Sequence, residues 1–235
     1  MQITPELSTF SVLSIGFFLG LRHATEADHL AAVSTIVSEK KSLFTASIIG
    51  GLWGLGHTIS LFVVGLVVIF LKLQISESVE AKLEACVGVM LVILGLNALR
   101  KLFRSEKIHV HTHDHGAREH LHFHTHQDEK SEVAHHRFSP RSVVIGMVHG
   151  LAGSAALMLL IVPTIPTPAV AVMYILIFAL GSIGGMMVMS LLIGLPFHFT
   201  ANRFVIINKG IRVFAGIFSL GLGFSIIYEK LLHGS

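Results

Sequence analysis

The chain has 235 residues, 52% of them hydrophobic and 13% charged, with a mean hydropathy of +0.74. A soluble domain carries about 25% charged residues, so this composition excludes an ordinary water-soluble globule. The net charge of +3 is small and the basic residues lie mostly in loops, which argues against nucleic-acid binding; a single cysteine, Cys86, excludes an intrachain disulfide.

Apolar segments long enough to cross a bilayer run over about 8–37, 43–73, 79–100, 142–164, 169–197 and 209–232. The expected fold is therefore all-α: a polytopic membrane protein with six transmembrane helices. The start, MQITPELSTF, has neither a basic region nor a small-residue cleavage site, so the first span is expected to act as the targeting signal.

The first span is interrupted by RHATEADHL, residues 22–30. Three charges there, Arg22, Glu26 and Asp28, would together cost on the order of 8–10 kcal/mol if unpaired at bilayer depth. They are therefore expected to be paired, to face a wet cavity, or to hold something. On a straight helix Arg22, His23, Glu26 and His29 share a face, while Asp28 lies nearly opposite His23. For His23, Asp28 and His29 to meet one ion, the helix has to break within 22–29; otherwise the carboxylate serves another partner. Two imidazoles and a carboxylate suit Ni²⁺, Co²⁺ or Zn²⁺ better than Na⁺ or Mg²⁺. The bland alternative is a structural network in which Arg22 pairs with Glu26 one turn on.

The second span carries His57 within GLGHTISLF. The third contains Cys86, which reads as packing, and VGVMLVILGL (87–96). The loop that follows includes HVHTHDHGAREHLHFHTHQ, with His109, His111, His113, His115, His120, His122, His124 and His126. With His135 and His136 it holds ten of the sixteen histidines. Such a stretch has no apolar face, so it is expected to stay flexible and to bind divalent transition ions without discrimination.

The fourth span carries His149 within MVHGLAGSAAL and runs into PTIPTP, an uncharged proline turn. The fifth holds MMVM (186–189), expected to pack, and ends near His198; the segment 142–202 contains no Asp, Glu, Lys or Arg.

The halves resemble each other. GFFLGL (16–21) matches GMVHGL (146–151), VGVMLVILGL (87–96) matches AGIFSLGLGF (215–224), and Gly50/Gly54 and Gly181/Gly185 supply a G-x-x-x-G in the second and fifth spans. Two units of three helices must lie in opposite orientations, which is the inverted-repeat plan of secondary transporters. The expected organisation is a first three-helix repeat with the metal motif over 1–103, a histidine-rich loop over 104–140 and a second three-helix repeat over 141–235.

Thirteen Lys and Arg fall on the side of the loops after spans one, three and five, against three on the other side. A multi-pass protein of the cell (inner) membrane is expected, with both termini outside and the histidine-rich loop cytoplasmic.

RHATEADHL resembles the H-x4-D-H signature of the nickel/cobalt transporter family, on His23, Asp28 and His29 with Arg22 before them. LGHTISLF resembles that family's second signature, on His57. VHGLAGSAAL is similar to the six-helix nickel permeases grouped with urease-accessory membrane proteins. The resemblance implies a permease carrying Ni²⁺, with Co²⁺ as a further substrate, into the cytoplasm, where a nickel metalloenzyme or metallochaperone receives it. It implies His23, Asp28, His29 and His57 as metal ligands, with Arg22, Glu26 and His149 as further residues of the path. No organic cofactor and no enzymatic activity are expected. A nickel/cobalt efflux protein remains the alternative within the class. Outside it stand a small-solute exporter and an intramembrane protease. The protease lacks any H-E-x-x-H, and the absence of a phosphate-binding G-x-x-x-x-G-K-[ST] leaves ATP coupling to another subunit.

Overall fold

The computed structural model describes residues 9–38, 42–71, 76–104, 109–111, 122–124, 140–151, 165, 167–201 and 203–232. Backbone N–H and C=O groups in lipid can be satisfied only within a helix or a closed barrel, and this chain takes the helical solution. The helices are α1 Thr9–His23, α2 Ala27–Val37, α3 Leu43–Leu71, α4 Glu77–Arg104, α5 Pro140–Gly150, α6 Pro168–Thr200 and α7 Val205–Leu232. Three of them are long and apolar enough to cross a membrane: α3, α6 and Val205–Leu231 of α7. The outer surface of the helices is apolar too, with Phe18 of α1, Phe70 of α3, Ile93 of α4, Leu180 of α6 and Phe214 of α7 all exposed, as a lipid-facing surface requires.

The spans expected at 43–73, 79–100, 169–197 and 209–232 are the single helices α3, α4, α6 and α7. The first is split into α1 and α2. The fourth is described as α5 and Leu151; its remainder and half of PTIPTP lie outside the described residues. Thr167, in an extended conformation, precedes α6, and Pro168 opens that helix, where a missing N–H costs nothing.

Packing is pairwise. α1 lies on α6, α5 on α3, α3 on α6, and α4 on α7, while the short buried α2 touches α4, α6 and α7. Small residues set these contacts, because packing rather than hydrophobicity holds helices together in lipid. A side chain on Gly16 would meet the Tyr174 ring at 2.8 Å, and one on Gly20 the Phe178 carbonyl. On α5, side chains on Gly146 and Gly150 would strike the carbonyls of Trp53 and His57. Gly88 faces Gly223 and Gly95 faces Gly216 across α4 and α7, where the Ser219 hydroxyl also donates to the Leu91 carbonyl at 2.9 Å. At the edge of the same pair Lys230 Nζ meets Glu84 Oε2 at 2.6 Å.

One expectation, the reading of Cys86 as packing, is corrected here. Gly50 and Gly54 face α6 at Ser190, Met186 and Ile183, whereas Gly181 and Gly185 face α1 at Phe17, Leu21 and Ala24. The two G-x-x-x-G pairs therefore serve different interfaces, because the contact register follows the whole helix and not the glycines alone. Cys86 is exposed on α4, since the face turned to α7 is taken by Gly88, Leu91 and Gly95.

The histidine-rich segment contains a short antiparallel ladder. His109–His111 (β1) pairs with His122–His124 (β2), in the register His109 to His124, Val110 to Phe123 and His111 to His122. His113, His115, His120 and His126 lie outside the described residues.

Candidate metal centre

The motif of the first span creates the site by breaking its helix. α1 ends at His23 and α2 begins at Ala27. Between them Thr25 N–H donates to the Arg22 carbonyl at 2.9 Å and Glu26 N–H to the His23 carbonyl at 3.1 Å, three-residue bonds that tighten the chain. The Thr25 hydroxyl donates to the same Arg22 carbonyl at 2.6 Å. Glu26 is extended (φ −65°, ψ 149°) and starts the new helix. Asp28 follows in the first turn of α2, where a carboxylate suits the positive end of the helix dipole, and its Oδ1 accepts the His29 N–H at 2.9 Å.

Four imidazoles meet at this break. His23 Nε2 lies 3.0 Å from His57 Nε2 of α3 and 2.8 Å from His29 Nε2. The other nitrogen of His29, Nδ1, lies 2.8 Å from His149 Nε2 of α5. That His149 atom is also 3.0 Å from Asp28 Oδ2. His29, His57 and His149 are fully buried and His23 is 3% exposed. The ligand atoms fall into two sets, His23/His29/His57 and Asp28/His29/His149, each with all its atoms within 4.8 Å of one another. Either set could hold a divalent ion.

Glu26 orients the cluster. Its Oε2 lies 3.1 Å from His23 Nδ1. An N–H on that nitrogen leaves the Nε2 lone pair for the cluster, the arrangement by which a carboxylate fixes a ligating histidine. Glu26 thus meets His23 and not Arg22, which is exposed and takes part only through its carbonyl. The sequence alternative of an Arg22–Glu26 pair does not describe these residues.

Two aromatic walls were not anticipated. Trp53 sets its ring edge-to-face against His29 at 5.1 Å and His149 at 5.2 Å between centroids, and Phe178 of α6 lies 5.6 Å from His23. The available signal was that Trp53 is the only tryptophan and stands one helical turn before His57. His198 lies at the far end of α6 beside Phe199, outside the cluster. Met186 and Met187 pack over Gly54 and Gly51.

Residues 9–215 match the model of a family described as high-affinity nickel-transport protein. The chain belongs to that nickel-transport family. It is 37% identical over 231 residues to the urease accessory protein UreH of Bacillus sp. (strain TB-90), covering 95% of this chain and 93% of that one. It is 25% identical over 217 residues to the chloroplast protein FOR GROWTH AND FERTILITY 2 of Arabidopsis thaliana, and 23% identical over 216 residues to FOR GROWTH AND FERTILITY 1. It spans 55% and 57% of those two plant proteins. No solved structure matches the chain. A nickel-transport family, apolar helices of spanning length and a buried imidazole cluster agree on a membrane protein that handles metal ions.

Proposed function

We propose that the chain is a permease that carries Ni²⁺ into the cytoplasm, with Co²⁺ as a second substrate, using His23, Asp28, His29, His57 and His149 as ligands. The observation that carries this reading is the convergence of four imidazoles and a carboxylate from α1, α2, α3 and α5 at one buried helix break. His23, His29 and His57 turn ligand atoms to one point, where their lone pairs repel unless a shared proton or a cation lies between them, and a transported ion would supply the cation. With metal–nitrogen distances of about 2.05 Å, neighbouring ligand atoms sit about 2.9 Å apart at 90° and about 3.4 Å apart in a tetrahedron. The separations among these atoms, 2.8–3.7 Å, span both values, so the choice of Ni²⁺ rests on the family.

Six spans in two inverted repeats accommodate the same observations. Exchanging α1 with α5, α3 with α6 and α4 with α7 converts each main helix pair into another existing pair. Gly16 and Gly20 against Tyr174 and Phe178 then correspond to Gly146 and Gly150 against Trp53 and His57. On this reading the site belongs mainly to the first repeat: the counterpart of RHATEADHL at 152–160 is AGSAALMLL, without a single ligand. The excess of Lys and Arg argues for external termini and a cytoplasmic histidine-rich loop, which would receive the ion at the exit and pass it to a nickel-using enzyme or its metallochaperone. The chain acts in this reading as a carrier and not as an enzyme.

Purified protein in liposomes, offered Ni²⁺, Co²⁺, Zn²⁺ and Mg²⁺ separately, tests the proposal. Ni²⁺ entry that exceeds Zn²⁺ entry and disappears in His23→Ala supports it. Cells expressing the protein accumulate Ni²⁺ if it imports; resistance to Ni²⁺ with lowered cell content would establish efflux and overturn the direction.

A further inference from the structure

His29 contributes to both ligand sets, through different nitrogens. Nε2 faces His23 and His57, while Nδ1 faces His149 and Asp28. A neutral imidazole has one lone pair; its other nitrogen carries the proton. His29 can therefore serve one set at a time. Binding ions in both sets would require an imidazolate bridge, a doubly deprotonated ring.

We propose that the centre is a two-position relay, in which one Ni²⁺ passes between His23/His29/His57 and Asp28/His29/His149 and the two positions exclude each other. This deepens the permease reading and rests on it. The first position is neutral, with three imidazoles from α1, α2 and α3; the second contains the Asp28 carboxylate and draws on α2 and α5. In the first, His29 Nδ1 bears the proton and donates toward His149 Nε2. In the second, Nε2 bears it and donates toward His23 Nε2. The ring has one proton in both states: Nδ1 gives one up to solvent on the side of Asp28 and Nε2 takes one up from solvent on the side of His23 and Glu26, both carboxylates being partly exposed, so the charge of the ring is unaltered. The two nitrogens of His29 point to opposite sides of the ring, so the ion releases Nε2 before it binds Nδ1. Trp53 packs edge-to-face on His29 and His149.

The full-length protein in detergent is loaded with Ni²⁺ and briefly washed with a chelator, which strips exposed loop histidines and spares a buried ion. The relay predicts one protected Ni²⁺ per chain in wild type. It predicts one each in His57→Asn and His149→Asn, which keep side-chain size and break only one position, with uptake lowered at least 100-fold in both. It predicts none in the double variant or in His29→Asn. X-ray absorption on the washed wild type, which needs no variant, should give two or three imidazoles per Ni²⁺. Two protected ions in wild type would overturn mutual exclusion. Four imidazoles on one ion, or loss of the ion in both single variants, would show one merged site; the permease reading would then stand and the relay fall. Absence of both protected ion and uptake in folded wild-type protein would remove the permease reading itself.

Discussion

His23 Nδ1 lies 3.1 Å from Glu26 Oε2, across the three residues where the first span ceases to be a helix. The break that separates α1 from α2 is what lets this carboxylate reach back to the imidazole. Glu26 is partly exposed, and its contact with His23 suits it to fix the tautomer and plane of that ring. Glu26→Gln keeps a hydrogen-bonding group of the same size but loses the charge. The expected outcome is a Ni²⁺ affinity about 10- to 100-fold weaker with normal membrane levels. Equilibrium binding on purified protein measures this; unchanged affinity would assign Glu26 to solvent.

The close approach of α5 to α3 positions His149. Gly150 sits against the backbone of His57, and an added methyl group would strike its carbonyl. Gly150→Ala should force the helices apart, costing about 1–3 kcal/mol, and should pull His149 away from His29 and Asp28. Lower thermal stability together with reduced Ni²⁺ binding is expected. Gly221→Ala, at a position with open space around the added carbon, serves as the control and should change neither.

Two histidines near the membrane distinguish a site from mere abundance. His149→Asn should lower Ni²⁺ uptake by at least 100-fold, whereas His198→Asn should leave uptake within about twofold, because His198 sits outside the cluster. Initial-rate uptake in liposomes at matched protein content decides. Equal losses in both variants would mean that the path extends to the end of α6.

The histidine-rich loop should prove separable from the path. Deleting residues 109–127 is expected to reduce the number of ions bound per molecule and to slow uptake when metal is limiting. At saturating Ni²⁺ the initial rate should be retained, since His23, His29, His57 and His149 all lie in helices outside that segment. Rate against concentration, for deletion and wild type, gives the answer. Complete loss at every concentration would make the loop part of the route.

Much of this was legible in the sequence because its physical origin is local. Lipid tolerates unsatisfied backbone so poorly that long apolar runs without charge had to be helices, and α3, α6 and α7 appear where such runs lie. The cost of three charges in the first span, together with the opposed directions of His23 and Asp28 on a straight helix, left either a break or a separate partner for Asp28, and the helix does break, at 24–26. The family resemblance rested on the same few residues. What only the tertiary structure decided was which groups meet. His149 stands 120 positions from His29, and its membership depends on α5 settling onto α3 at Gly146 and Gly150. Glu26 could have paired with Arg22 or His23, and the direction of the broken turn chose His23. Trp53 and Phe178 read as ordinary apolar residues until packing turned their rings onto the imidazoles. Composition and periodicity act within one segment, whereas a ligand set drawn from four helices is a property of how those helices cross.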